Sequence, residues 1–77
     1  MPRGLYNWTF RDVVRFLKKY NFILVNTEGS HYYYSGSVSG KPRLVHVPFH
    51  GSNTIKPRTM KSIIDQSGIS QKEWTGR

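Results

Sequence analysis

Apolar residues recur at helical spacing just after Thr9. Phe10, Val13, Val14 and Leu17 fall on one side of the repeat, and Arg11, Arg15, Lys18 and Lys19 take the other. Thr9 and Asp12 have the spacing of a capping box. The pattern predicts an amphipathic helix of about three turns, ended by Asn21. Phe22-Ile23-Leu24-Val25 is apolar and β-branched, so it reads as a strand. Glu28-Gly29 turns the chain, and the aromatic stretch from Ser30 to Ser35 reads as a second strand. Gly36, Ser37, Ser39, Gly40 and Pro42 mark a hairpin loop. Arg43 to Val47 is a third strand, stopped by Pro48, and Phe49 to Lys56 reads as a polar, irregular loop. Pro57 suits the first turn of a second helix, with Met60, Ile63 and Ile64 as its apolar stripe and Lys61, Asp65 and Gln66 facing out. Gly68 ends it, with Ile69 placed to fold back as in a Schellman motif. Ser70 and Glu73 form a second capping box, opening a short last helix that carries Trp74.

Two helices with apolar stripes need a surface, and one face of a three-stranded antiparallel sheet supplies it. The expected fold class is therefore α+β: a single small domain over residues 1–77, in the order α-β-β-β-α, with both helices on one sheet face. The ordered core is expected at about residues 8–74, with disorder at the ends. The other sheet face stays wet unless a partner covers it. Trp8 and Trp74 read as lids over the core. His46 alternates with Val45 and Val47, so it points away from the core and reads as structural.

Charge narrows the function. Twelve Lys/Arg stand against 4 Asp/Glu, a formal net charge of +8 in 77 residues. Such a chain favours a polyanionic partner, and nucleic acid fits best. A membrane surface fits less well, because no basic amphipathic helix with a broad apolar face is present. The start, Met1-Pro2-Arg3-Gly4-Leu5-Tyr6, has no apolar core of a signal peptide and no long apolar run follows, so a soluble cytoplasmic protein is expected. Cysteine is absent, which excludes disulfides and thiolate metal sites.

The chemistry left open is narrow. Asp12, Glu28, Asp65 and Glu73 are scattered, whereas a two-metal nuclease needs converging carboxylates. His31, His46 and His50 without carboxylate or thiolate support make a poor zinc set. No Gly-rich phosphate loop and no Ser-His-Asp set stand out. Neither metal nor cofactor is expected, which leaves acid–base catalysis by histidine.

His31 follows Gly29-Ser30 at the start of a strand, in a strongly positive chain. There an imidazole, which changes charge near neutral pH, suits proton transfer on a phosphodiester. RNA supplies its own nucleophile, the 2′-hydroxyl. If the second and third strands pair through the 36–42 loop, residues 30–31 lie near 46–48 and His50 comes within reach as a supporting group. Lys56, Arg58 and Lys61 around the second helix start, Arg15, Lys18 and Lys19 on the first helix, and Ser30 beside His31 are the candidate RNA contacts. On residues alone, His31 also fits a solvated strand position, and the charge also fits a non-catalytic RNA-binding module.

These residues together resemble a family. Gly29-Ser30-His31, then Val47-Pro48-Phe49-His50, then Ile55 to Ile64 with its Pro57-Arg58-Thr59 start, then Gly68-Ile69-Ser70, resemble the HicA toxins of toxin–antitoxin pairs over roughly residues 8–74. The resemblance implies a fold like a double-stranded-RNA-binding domain. It implies an mRNA interferase that arrests translation, neutralised by a HicB-type antitoxin. The family's catalytic histidine falls on His31. The chain departs from many members at Tyr32, where they carry a second histidine, and at Arg58, where they carry glycine.

Overall fold

The computed structural model describes residues 4–51 and 53–76. Residues 1–3 and 77, on which part of the expected terminal disorder falls, and Ser52 of the expected loop lie outside the described residues.

Thr9 caps the first helix, α1 (Phe10–Lys19). Its Oγ1 accepts from the Asp12 N–H at 3.2 Å, and Asp12 Oδ2 accepts from the Thr9 N–H at 3.1 Å, so both halves of the capping box form. Val13 and Leu17 are buried, and Lys18 and Lys19 occupy the last turn, where cations suit the carbonyl end. Asn21 then turns left-handed, at φ 66°. The N–H groups of Asn21 and Phe22 donate to the carbonyls of Lys18 and Leu17, both at 3.0 Å. This is the Schellman pattern, and it delivers the Phe22 ring into the core, where only 2% of the residue is exposed.

The sheet comprises β2 (Ile23–Glu28), β3 (His31–Val38) and β4 (Lys41–Pro48), antiparallel in the order β2-β3-β4; β1 is the short N-terminal strand Trp8–Thr9. The strands outrun the apolar pattern. Gly36, Ser37 and Pro42 lie within the ladder, so the expected 36–42 loop shrinks to Ser39-Gly40. Those two residues have φ 54° and 77°, the positive pair of a type I′ turn. Pro42 is tolerated because β4 is an edge strand. At Gly36 a Cβ would stand 2.7 Å from the Phe22 ring, which explains a glycine inside a strand. β2 continues through Asn26-Thr27-Glu28 past an irregularity between Leu24 and Asn26.

Tyr34, Val45 and Val47 alternate toward the helices. They share the core with Val13 and Leu17 of α1 and with Met60, Ile63 and Ile64 of α2 (Pro57–Ser67). Both helices thus cover one face of the sheet, as expected. Strand alternation puts His31, Tyr33, Ser35, Leu44 and His46 on the other. One pairing departs from the expected irregular loop: Trp8 and Thr9 pair antiparallel with Ile55 and Thr54 of β5 (Thr54–Ile55). The bridge ties the segment before α1 to the segment before α2, a long-range contact that no local pattern announces.

The C-terminal region also departs in detail. Gly68 closes α2 at φ 73° and Ile69 is buried. The Ile69 N–H, however, donates to Ser67 Oγ at 3.1 Å, so the fold-back uses a side chain. In α3 (Gln71–Thr75), Ser70 Oγ accepts from the Glu73 N–H at 3.4 Å. The second half of that capping box is replaced: the Glu73 carboxylate accepts from the Tyr20 hydroxyl at 2.8 Å. That bond, with desolvation and the Glu73 charge behind it, holds the Tyr20 hydroxyl above its ordinary pKa. Trp8 and Trp74 are buried within the core, 5.5 Å apart edge to face, and Phe16 stacks on Trp74 at 3.8 Å. Toward the described ends, Trp8 Nε1 donates to the Gly4 carbonyl at 2.9 Å, Leu5 packs against the core, and Thr75 is buried. Among the described residues no helix is long and apolar enough to cross a membrane.

Candidate active site

His31 is the first residue of the central strand. The Gly29-Ser30 turn joins β2 to β3, and Gly29 supplies the positive φ, 58°, that so tight a reversal needs. Glu28 pairs with His31 on one side and Pro48 on the other. The Ser30 carbonyl accepts from the Phe49 N–H at 2.7 Å, carrying the β3–β4 ladder one step past the strand. The His31 backbone is therefore held from both flanks, while the side chain is exposed on the open sheet face.

The imidazole has a partner that the sequence reading did not assign to the site. His31 Nδ1 lies 2.6 Å from His46 Nε2, and the ring centroids are 4.7 Å apart. His46 is the cross-strand neighbour of Tyr33, two residues beyond His31 on the same face, so the contact runs diagonally across β3 and β4. The Tyr33 ring stacks on His46 at 5.0 Å and 14°. The outward N–H of His46, at the free edge of the sheet, donates to Gln66 Oε1 of α2 at 2.8 Å. His46 does point away from the core, as its alternation with Val45 and Val47 predicts, but it arrives at His31. At this separation one nitrogen carries the shared proton and the other accepts it. His31 Nε2 takes no part in that contact.

His50 stands elsewhere. It lines a groove of about 430 Å³ with Pro48, Asn53, Thr54, Ile55, Lys56 and Thr59, and its carbonyl accepts from the Asn53 N–H at 3.1 Å. No hydrogen bond joins it to His31 among the described residues. Pro48 connects the two places, since it is both the cross-strand partner of His31 and a wall of the groove. Lys56 is the N-cap of α2 and makes no side-chain cap, Pro57 opens the helix, and the first turn holds no acidic residue. Arg58 and Lys61 are exposed on the same end of α2, and Arg15, Lys18 and Lys19 are exposed on α1. Ser30 is exposed beside His31. Among the described residues no three His, Asp or Glu side chains converge as a metal site would require. The signal that could have found His46 was the hairpin register, once the turn is narrowed to Ser39-Gly40.

The class this defines is a small, basic α+β domain with helices on one sheet face and a histidine pair on the other. The family model of the HicA toxins of bacterial toxin–antitoxin systems matches residues 10–69, a span covering α1, the whole three-stranded sheet, the His50 groove and α2. The chain belongs to the HicA toxin family. No curated protein and no solved structure matches it.

Proposed function

We propose that this chain is the toxin of a toxin–antitoxin pair and acts as an endoribonuclease on mRNA in the cytoplasm, with residues 1–77 working as one domain of the double-stranded-RNA-binding type. His31 Nε2 removes the proton from a 2′-hydroxyl. The 2′-oxygen attacks the adjacent phosphorus, and the bond to the 5′-oxygen breaks. The departing oxygen takes a proton from His31, which closes the acid–base cycle. Lys56, Arg58 and Lys61 hold the phosphates and offset developing charge, with Arg15, Lys18, Lys19 and Ser30 as further contacts and His50 in support. No metal ion or cofactor takes part. A HicB-type antitoxin neutralises the toxin by covering His31.

The observation that carries this reading is the placement of His31: an exposed imidazole on a braced central strand, next to the groove that holds His50 and Lys56. The uncapped start of α2 supports it, since free backbone donors and the positive helix end favour an anion.

The test is cleavage of a synthetic RNA by purified protein in excess chelator. His31→Ala should abolish cleavage and change stability by less than about 0.5 kcal/mol, because the side chain is exposed. His50→Ala should reduce the rate less. A single 2′-deoxy substitution at the cut position should block cleavage there. RNA binding without cleavage by the wild-type chain would instead identify a non-catalytic RNA-binding module, and a fully active His31→Ala would remove His31 from the chemistry.

A further inference from the structure

A base that must take a proton and return it works best when its tautomer is fixed. Histidine has two chemically distinct nitrogens, and which one is free depends on what engages the other. In this chain His31 Nδ1 is engaged by His46 Nε2 at 2.6 Å. We propose that His46 is a positioning residue for His31, accepting the Nδ1 proton so that Nε2 is the nitrogen that exchanges protons with the substrate; this rests on the ribonuclease reading above.

Three observations favour His46 as acceptor and His31 as the reacting group. His31 is exposed, whereas His46 is half-buried. His46 is held in place at two points, its ring by the stack on Tyr33 and its backbone N–H by Gln66. A group clamped in this way suits orientation better than proton exchange with a moving substrate. The hydrogen bond also survives the whole cycle. Neutral His31 with its proton on Nδ1 donates to His46, and so does the imidazolium formed when Nε2 gains a second proton. In both states His46 Nε2 is the acceptor, which puts its own proton on Nδ1. The other groups set to face the pair are Glu28, the β2 partner of His31, and Tyr33. Among the described residues neither makes a hydrogen bond to either ring, so the tautomer is set by His46.

The arrangement generalises triad logic, in which a third group orients the base. Here the orienting group is an imidazole instead of a carboxylate. It supplies direction without adding a negative charge beside the incoming phosphate.

The experiment reads the tautomer of His31 by long-range ¹H–¹⁵N correlation NMR, on the free protein, alongside steady-state cleavage. In the wild type, neutral His31 should carry its proton on Nδ1. In His46→Ala it should revert to the Nε2–H form that free histidine side chains favour, and kcat should fall by about tenfold to a hundredfold with KM little changed. His46→Gln can accept through Oε1 and should restore both the Nδ1–H form and most of kcat. A wild-type spectrum showing Nε2–H overturns the proposal without any variant being needed. A His46→Ala protein that keeps the Nδ1–H form, or loses KM in place of kcat, also overturns it. If the wild type cuts no RNA, the ribonuclease reading fails, while the tautomer measurement still decides who orients His31.

Discussion

Ser67 shows how much a single buried hydroxyl can organise. It has no exposed surface. Its Oγ donates to the Ile64 carbonyl at 2.7 Å and accepts from the Ile69 N–H and from Trp74 Nε1, both at 3.1 Å. One side chain thus satisfies the turn after α2 and the indole of α3, which is why Trp74 can sit 4% exposed in the core. Ser67→Ala should strand two buried donors, and each unsatisfied group costs about 1–3 kcal/mol. We expect a loss of about 2–4 kcal/mol in denaturant unfolding, with the Trp74 region opening first by hydrogen exchange. A loss under about 0.5 kcal/mol would mean that water replaces the hydroxyl. The same scale explains Gly68 beside it: a Cβ there would collide with the Arg43 guanidinium, which lies across the helix end.

At the scale of elements, local chemistry and tertiary pairing contribute unequally. The capping box, amphipathic stripe and stop of α1 are all written in neighbouring residues, and so are Pro57 and Gly68 at the two ends of α2. The strands are not. Gly36, Ser37 and Pro42 look like a loop in sequence, yet β3 and β4 run through them because the ladder on Tyr32 to Ser35 propagates to the next tight turn. The β1–β5 bridge joins residues more than forty positions apart, and both Trp8 and Ile55 belong to the core. His31 was legible from its Gly-Ser turn, and the neighbourhood of residues 46–48 from approximate hairpin pairing. His46 was not, because a diagonal contact requires the register to within one residue. The turn that sets this register can be tested. Ser39 holds φ 54° without being glycine, and a left-handed residue of ordinary type costs about 1–2 kcal/mol. Asparagine bears that conformation more easily, so Ser39→Asn should stabilise the chain by roughly 0.5–1 kcal/mol. A destabilisation seen in urea titration would mean that this turn does not have the positive-φ pair described.

For the whole molecule, the two helix starts differ in what they would offer an RNA under the proposed function. The α1 start is closed: Thr9 and Asp12 use its first donors and place a carboxylate there. The α2 start is open, with Lys56 at the cap, no acidic residue in the first turn, and the Pro48–His50 groove alongside. With a net charge of +8, binding draws on counterion release, and each phosphate neutralised adds about 0.9 to the slope of log affinity against log salt on duplex and about 0.7 on single strands. Affinity for RNA should therefore fall steeply with salt. Replacing Lys56, Arg58 and Lys61 together by glutamine should flatten that slope by about two units on single-stranded RNA. Replacing Arg15, Lys18 and Lys19 should flatten it less, because those charges sit on the exposed flank and carbonyl end of α1, away from the open helix start. All six side chains are exposed, so neither triple variant should unfold the protein, and circular dichroism checks this. Fluorescence anisotropy of a labelled oligonucleotide across a salt series reads both slopes. Equal losses from the two triples would show a diffuse positive field at work, and a larger loss from the α1 triple would move the RNA path from the α2 start and its groove onto α1.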